Sequence, residues 1–84
     1  EGLLHHSVNL DAKQPQEIEL ESGTRLVLTV SSKDGSELEI EGLGLAGFAD
    51  PYAPAYFDVL LPEEPGTFRV SAPGEDPAAI ITTR

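Results

Sequence analysis

The sequence contains few side chains that could bind a metal or attack a substrate. His5 and His6 are its only imidazoles, and Cys and Met are absent. Neighbouring residues of a strand point to opposite faces, so a regular strand cannot direct both rings at one metal ion. We therefore predict an exposed His5 and a partly buried His6. The alternative is a copper or zinc site that uses the free amino terminus or a second molecule.

The same scarcity argues against an enzyme. Without cysteine the chain has no disulfide, thiolate metal site or thiol nucleophile. Ser7 lies beside the two histidines, but a hydroxyl nucleophile needs a base oriented toward it. Paired carboxylates could hydrolyse a glycoside only within a substrate cleft, which we do not expect in a domain of 84 residues. We therefore predict no catalytic residues and no cofactor.

Charge excludes two classes of partner. Fifteen Asp and Glu residues stand against five Lys and Arg, which gives a net charge of -10. Such a chain repels nucleic-acid phosphates and anionic membrane surfaces. It also lacks an apolar run near the ~20 residues of a membrane helix. We expect no nucleic acid and no membrane insertion within this chain, and the sequence does not predict an oligomeric state.

Many of the acids follow a pattern with a period of two residues. They alternate with aliphatic residues in two segments, and we call them the glutamate rows: Glu17, Glu19 and Glu21 in the first, Glu37, Glu39 and Glu41 in the second. This alternation predicts strands with one buried and one solvated face. The rows are interpreted as solvated faces, as a docking surface for a basic partner protein, or, less readily, as calcium ligands. Glu63-Glu64 and Glu75-Asp76, which lie in turns, suit calcium better.

The rest of the chain also alternates, with turns at Asp34-Gly35 and around Pro65-Gly66. We predict a single all-β domain over residues 1–84, a Greek-key β-sandwich of seven or eight strands. Arg25 belongs to the strand between the two glutamate rows in the sequence, and it could reduce the repulsion between them if these strands pair. The predicted core consists of Leu26, Leu28, Val30, Leu38, Ile40, Phe57, Val59, Phe68, Val70 and Ile80.

One long stretch, residues 42–54, shows no strand pattern and is predicted to be irregular. Phe48 and Tyr52 lie in it, and Tyr56 and Phe57 follow it. These aromatic residues are predicted to cover an open end of the sandwich. The alternative is a partner-binding patch in which apolar anchors are surrounded by acids.

The order of these motifs resembles the cupredoxins, especially the periplasmic domain of cytochrome c oxidase subunit II. The resemblance covers residues 16–83. Residues 23–32 are similar to the strand that precedes the family's first copper ligand, and residues 37–44 to its neighbour. Residues 56–70 resemble the family's penultimate hairpin, in which a Pro-Gly-Thr-aromatic motif, here Pro65-Gly66-Thr67-Phe68, opens the strand that leads into the copper loop. That loop would be Ala72-Pro73-Gly74-Glu75.

The copper ligands that the resemblance implies are missing. The family has a histidine after the turn that reads Asp34-Gly35-Ser36 here, and a cysteine where this chain has Ser71 and Ala72. Its second histidine corresponds to Glu75 or Asp76, and no methionine exists to serve as the axial ligand. A blue-copper site requires two imidazoles and a thiolate. The sequence therefore predicts the fold without its copper.

These observations predict a non-catalytic, metal-free cupredoxin-like module that acts as an interaction or structural domain. The alternative function is a copper-binding or copper-handling protein that uses His5 and His6 or an intermolecular site. The resemblance implies an extracytoplasmic location, either periplasmic or at the cell surface. Because the sequence begins at Glu1 rather than Met, we expect a processed or trimmed domain.

Overall fold

A computed structural model describes the backbone of residues 3–84 and the side chains of residues 4–84. Its elements are eight strands: β1 Leu3–Asn9, β2 Gln16–Leu20, β3 Arg25–Ser31, β4 Ser36–Glu41, β5 Leu45–Ala49, β6 Ala55–Leu60, β7 Thr67–Ser71 and β8 Ala79–Thr83. The all-β prediction is confirmed. Within residues 3–84, no helix has the length and apolar character to cross a membrane.

The strands form two sheets that pack as a sandwich. One sheet has the order β1-β3-β6 and the other the order β2-β8-β7-β4-β5. Two neighbouring pairs, β1 with β3 and β2 with β8, are parallel, and the other pairs are antiparallel. Parallel pairs arise because the chain crosses repeatedly from one sheet to the other. β1, β6, β2 and β5 are the edge strands.

The core lies between the sheets and follows the alternation in the sequence. In β3, Leu26, Leu28 and Val30 are fully buried, whereas the residues between them are only half-buried. Leu38 and Ile40 of β4 and Val70 of β7 meet them from the other sheet. Alternate residues of a strand point to opposite faces, so the period of two fixes which side chains enter the core.

Three residues of the predicted core, Phe57, Val59 and Ile80, are not fully buried. Phe57 and Val59 are half-buried against the core, but Ile80 points outward between Glu17 and Arg69 of the neighbouring strands. Ile81 is the buried residue of that pair. An aliphatic dipeptide cannot reveal from its sequence which member faces inward, and the pairing register of β8 decides it.

The prediction of an irregular segment over residues 42–54 was wrong in its middle. β5 forms there and pairs with β4, so that Phe48 lies opposite Glu37. Gly47 within it leaves no room for a side chain, because a Cβ would lie 2.9 Å from the ring of Phe57 in β6. The period-two pattern is concealed because the inward positions hold the small Gly47 and Ala49, whereas the large Phe48 between them is exposed. The close approach of Phe57 explains the glycine.

Candidate functional site

Four loops meet at one end of the sandwich, which we call the loop end. They connect β1 to β2, β3 to β4, β5 to β6, and β7 to β8. The backbone N–H of Lys33 donates a hydrogen bond to the carboxylate of Asp11, which joins the first two loops. The N–H of Gln16 donates to the carbonyl of Ala78 at 3.0 Å, which joins the first loop to the last. The structure thus brings together the segments that the resemblance assigns to a copper site.

The side chains at these positions are not the ligands of a blue-copper centre. Ser36 opens β4 and its hydroxyl donates to the carbonyl of Glu37 at 2.8 Å. Ser71 closes β7, and the exposed Glu75 lies in a turn where its N–H donates to the carbonyl of Ala72. Hydroxyls and carboxylates are hard ligands, whereas a blue-copper centre needs imidazole and thiolate. Among residues 4–84, no three His, Asp or Glu side chains are grouped closely enough to hold a metal ion.

The two histidines lie on opposite faces of β1. His5 is exposed beside Val27 of β3, and His6 is half-buried beside Leu28. This arrangement confirms the predicted exposures and prevents the two rings from sharing one metal ion within a single chain. The amino terminus, which the alternative copper site would use, lies outside the described residues.

A groove opens at the loop end between the β1–β2 loop and the β7–β8 loop. Its volume is about 450 Å³. Seven of its ten lining residues are apolar, and Glu75, Asp76 and Lys13 supply the charges. No local sequence pattern predicts this groove, because its two walls are more than fifty residues apart in the chain. The only signal is the group of prolines in both loops, at positions 15, 73 and 77.

Both glutamate rows face solvent, as predicted, since all six side chains are exposed. They belong to one sheet but are separated by β7 and β8. The pairing that would let Arg25 reduce their repulsion does not occur, because β3 belongs to the other sheet. Instead, Arg69 lies 3.3 Å from Glu41, and Arg84 lies 3.1 Å from Glu19.

Arg25 has a different partner, Asp58 of β6. Its Nε and Nη2 atoms donate to the two carboxylate oxygens at 2.9 and 2.6 Å. These hydrogen bonds and the attraction of opposite charges lower the pKa of Asp58 and raise the pKa of Arg25. The pair is exposed, so screening by water and salt limits its effect on stability.

The aromatic residues do not cover an open end of the sandwich. Tyr52 is 97% exposed, Tyr56 70% and Phe48 55%. Of the four aromatic residues in and after residues 42–54, only Phe57 packs against the core. The interpretation of these side chains as a cap was therefore wrong for three of the four. Phe48 and Tyr56 project from the outer faces of different sheets.

Two solved structures have a fold similar to that of this chain. The chain is similar to a copper-binding protein whose apo form was solved by NMR, with a TM-score of 0.79 and 15% identity over 100% of this chain and 90% of that one. It is also similar to a chain of a heme-copper terminal oxidase dimer solved by cryo-EM, with a TM-score of 0.67 and 22% identity. That alignment covers 93% of this chain but 60% of the oxidase chain.

The sequence comparisons add no further relative. No family model matches the chain, and no curated protein sequence is significantly similar to it. Identities of 15% and 22% are too low to transfer a ligand or an activity, but the TM-scores show a common fold. With the eight strands of residues 3–84 in two sheets, this chain has a cupredoxin-like β-sandwich fold.

Proposed function

We propose that this chain is a non-catalytic, metal-free cupredoxin-like module that serves as an extracytoplasmic interaction or structural domain. The observation that carries the proposal is the loop end, where Ser36, Ser71 and Glu75 replace the imidazoles and thiolate that the fold family uses for copper. A domain that has this fold but lacks the copper ligands can still act through its surfaces and loops.

The similarity to a chain of a heme-copper terminal oxidase supports the extracytoplasmic location and a place within a larger envelope or respiratory assembly. The surface also suits an interaction domain. Aromatic side chains, which are exposed here, are enriched at protein interfaces. The acidic surface would attract a basic partner.

A copper titration tests the metal-free character. Cu(II) and Cu(I) are titrated separately into the chain and followed by calorimetry and absorbance. The proposal predicts no binding in the micromolar range or tighter, because the described residues contain no site of three grouped ligands. The control is the double variant His5→Ala, His6→Ala, which removes both imidazoles, together with a chain whose amino terminus is acetylated.

Two results would contradict the proposal. Micromolar or tighter binding that is lost in the double variant would show copper handling by His5 and His6. If the binding also raised the sedimentation coefficient to that of a dimer, an intermolecular site would be indicated. Binding lost only on acetylation would assign the copper to the amino terminus.

A further inference from the structure

We propose that the groove at the loop end docks an extended, basic segment of a partner protein. This inference rests on the proposed function as an interaction domain and names both its site and the chemistry of its partner. The groove is formed by the same β7–β8 loop that the resemblance assigns to copper ligands. In this chain that loop contributes Ala72, Glu75, Asp76 and Pro77 to the groove wall.

The floor of the groove offers contacts to aliphatic groups. Leu10 and Ile80 are half-buried, Ala78 is buried, and Pro15 and Pro77 line the two sides. Such a surface buries the methylene stem of a lysine or arginine while the charged head stays near water. A cavity of about 450 Å³ has room for one or two such side chains and not for a folded element.

The charges around the groove select a cationic occupant. Glu75 and Asp76 line it and are exposed. Glu17 lies opposite Ile80 in the adjoining strand, so a third carboxylate stands beside the floor. Lys13 is the basic residue of the lining. A cation whose stem lies on the floor would therefore find carboxylates within reach, and the overall charge of -10 would attract it from a distance.

The edge of the five-stranded sheet explains why the occupant should be extended. β2 begins just beyond Pro15 and pairs on one side only, with β8. An extended segment that leaves the groove can add to this edge through backbone hydrogen bonds. Every second side chain would then meet the first glutamate row, because Glu17 and Glu19 point outward from β2.

The test uses the synthetic peptide acetyl-Lys-Val-Lys-Val-Lys-amide and the full chain at low salt. Binding is measured by calorimetry and located by amide shifts in proton–nitrogen NMR spectra. We expect binding that shifts the amides of Ala12, Ala72 and Ala78. The peptide in which glutamate replaces each lysine should not bind.

Two double variants distinguish peptide binding in the groove from attraction by the net negative charge of the protein. Glu75→Gln with Asp76→Asn removes two charges at the groove. Glu63→Gln with Glu64→Gln removes two charges from the β6–β7 loop, whose Gly66 contacts Thr83 at the other end of β8. We expect the first variant to weaken peptide binding by about tenfold, which corresponds to ~1.4 kcal/mol, and the second by less than about twofold.

Equal losses in both variants would overturn the proposal, because they would show attraction by net charge alone. Shifts confined to the outer face around Glu37 and Phe48, or no binding by the lysine peptide, would overturn it as well. None of these results would bear on the metal-free character, which the copper titration tests separately.

Discussion

At the level of single residues, the turn after β4 contains two glycines that differ in how closely other side chains pack against them. Gly42 and Gly44 both have positive φ angles, of 98° and 68°. A Cβ on Gly42 would lie 2.7 Å from Cδ1 of the buried Phe68, whereas nothing lies within 4 Å of a Cβ on Gly44. A side chain in this region of φ costs about 1–2 kcal/mol, and overpacking adds about 1–3 kcal/mol.

We therefore expect Gly42→Ala to lower the free energy of unfolding by about 2–5 kcal/mol and Gly44→Ala by only about 1–2 kcal/mol. Urea unfolding followed by circular dichroism measures both. The second variant is the control for backbone strain, so similar losses in the two would show that Phe68 moves aside.

Asp58 is a second residue with a testable property, since its hydrogen bonds from Arg25 lower its pKa in the folded state. A depressed folded pKa means that this carboxylate stabilises the fold above its unfolded pKa, and that the contribution disappears as the pH falls through the folded pKa. Asp58→Asn should therefore reduce stability at neutral pH and leave it unchanged at the lowest pH. The comparison requires thermal unfolding of both proteins across the acid range, and a constant difference at every pH would contradict the assignment.

At the scale of elements, β3 is the central strand of the three-stranded sheet, and its inward side chains hold the two sheets together. Leu28 is 0% exposed, whereas its neighbour Val27 points outward and is half-buried. Leu28→Ala should cost about 2–5 kcal/mol, a large part of the stability of so small a domain. Val27→Ala in the same strand should cost clearly less. Equilibrium unfolding distinguishes them, and equal losses would mean that the alternation does not decide burial here.

At the scale of the whole molecule, repulsion among acids opposes folding. Among the described residues, three exposed ion pairs form, Arg25–Asp58, Arg69–Glu41 and Arg84–Glu19, and exposed pairs stabilise a fold only slightly. With the bases counted, the net charge is still -10. Raising the salt from about 0.01 M to 0.15 M shortens the Debye length from about 30 Å to 8 Å. We expect Tm to rise by a few degrees, where 1 kcal/mol corresponds to about 4–8 °C.

The variant Arg69→Gln with Arg84→Gln removes the two arginines that contact the glutamate rows. It should have a lower Tm at low salt and a larger rise on adding salt. A Tm that falls with salt in the unaltered chain would mean that attractive pairs dominate, and that the rows are not two solvated stripes. Differential scanning calorimetry at both salt concentrations decides between the two.

The class of fold, the faces of most strands and the absence of cysteine and methionine could be read from the sequence. These properties are local, because alternation, turn residues and the identity of a side chain do not depend on which strands become neighbours. Leu26, Leu28 and Val30 are buried as the alternation predicted, and His5 and His6 lie on opposite faces for the same reason.

Other features depend on strand order and register, which become visible only in the tertiary structure. Two strands lie between the glutamate rows, and Ile80 points outward. The arginines that contact the rows are Arg69 and Arg84, not Arg25. The tertiary structure also forms the groove, because residues 10–15 and 72–80 meet only when β2 and β8 pair side by side. Such contacts join residues far apart in the chain, and no local pattern specifies them.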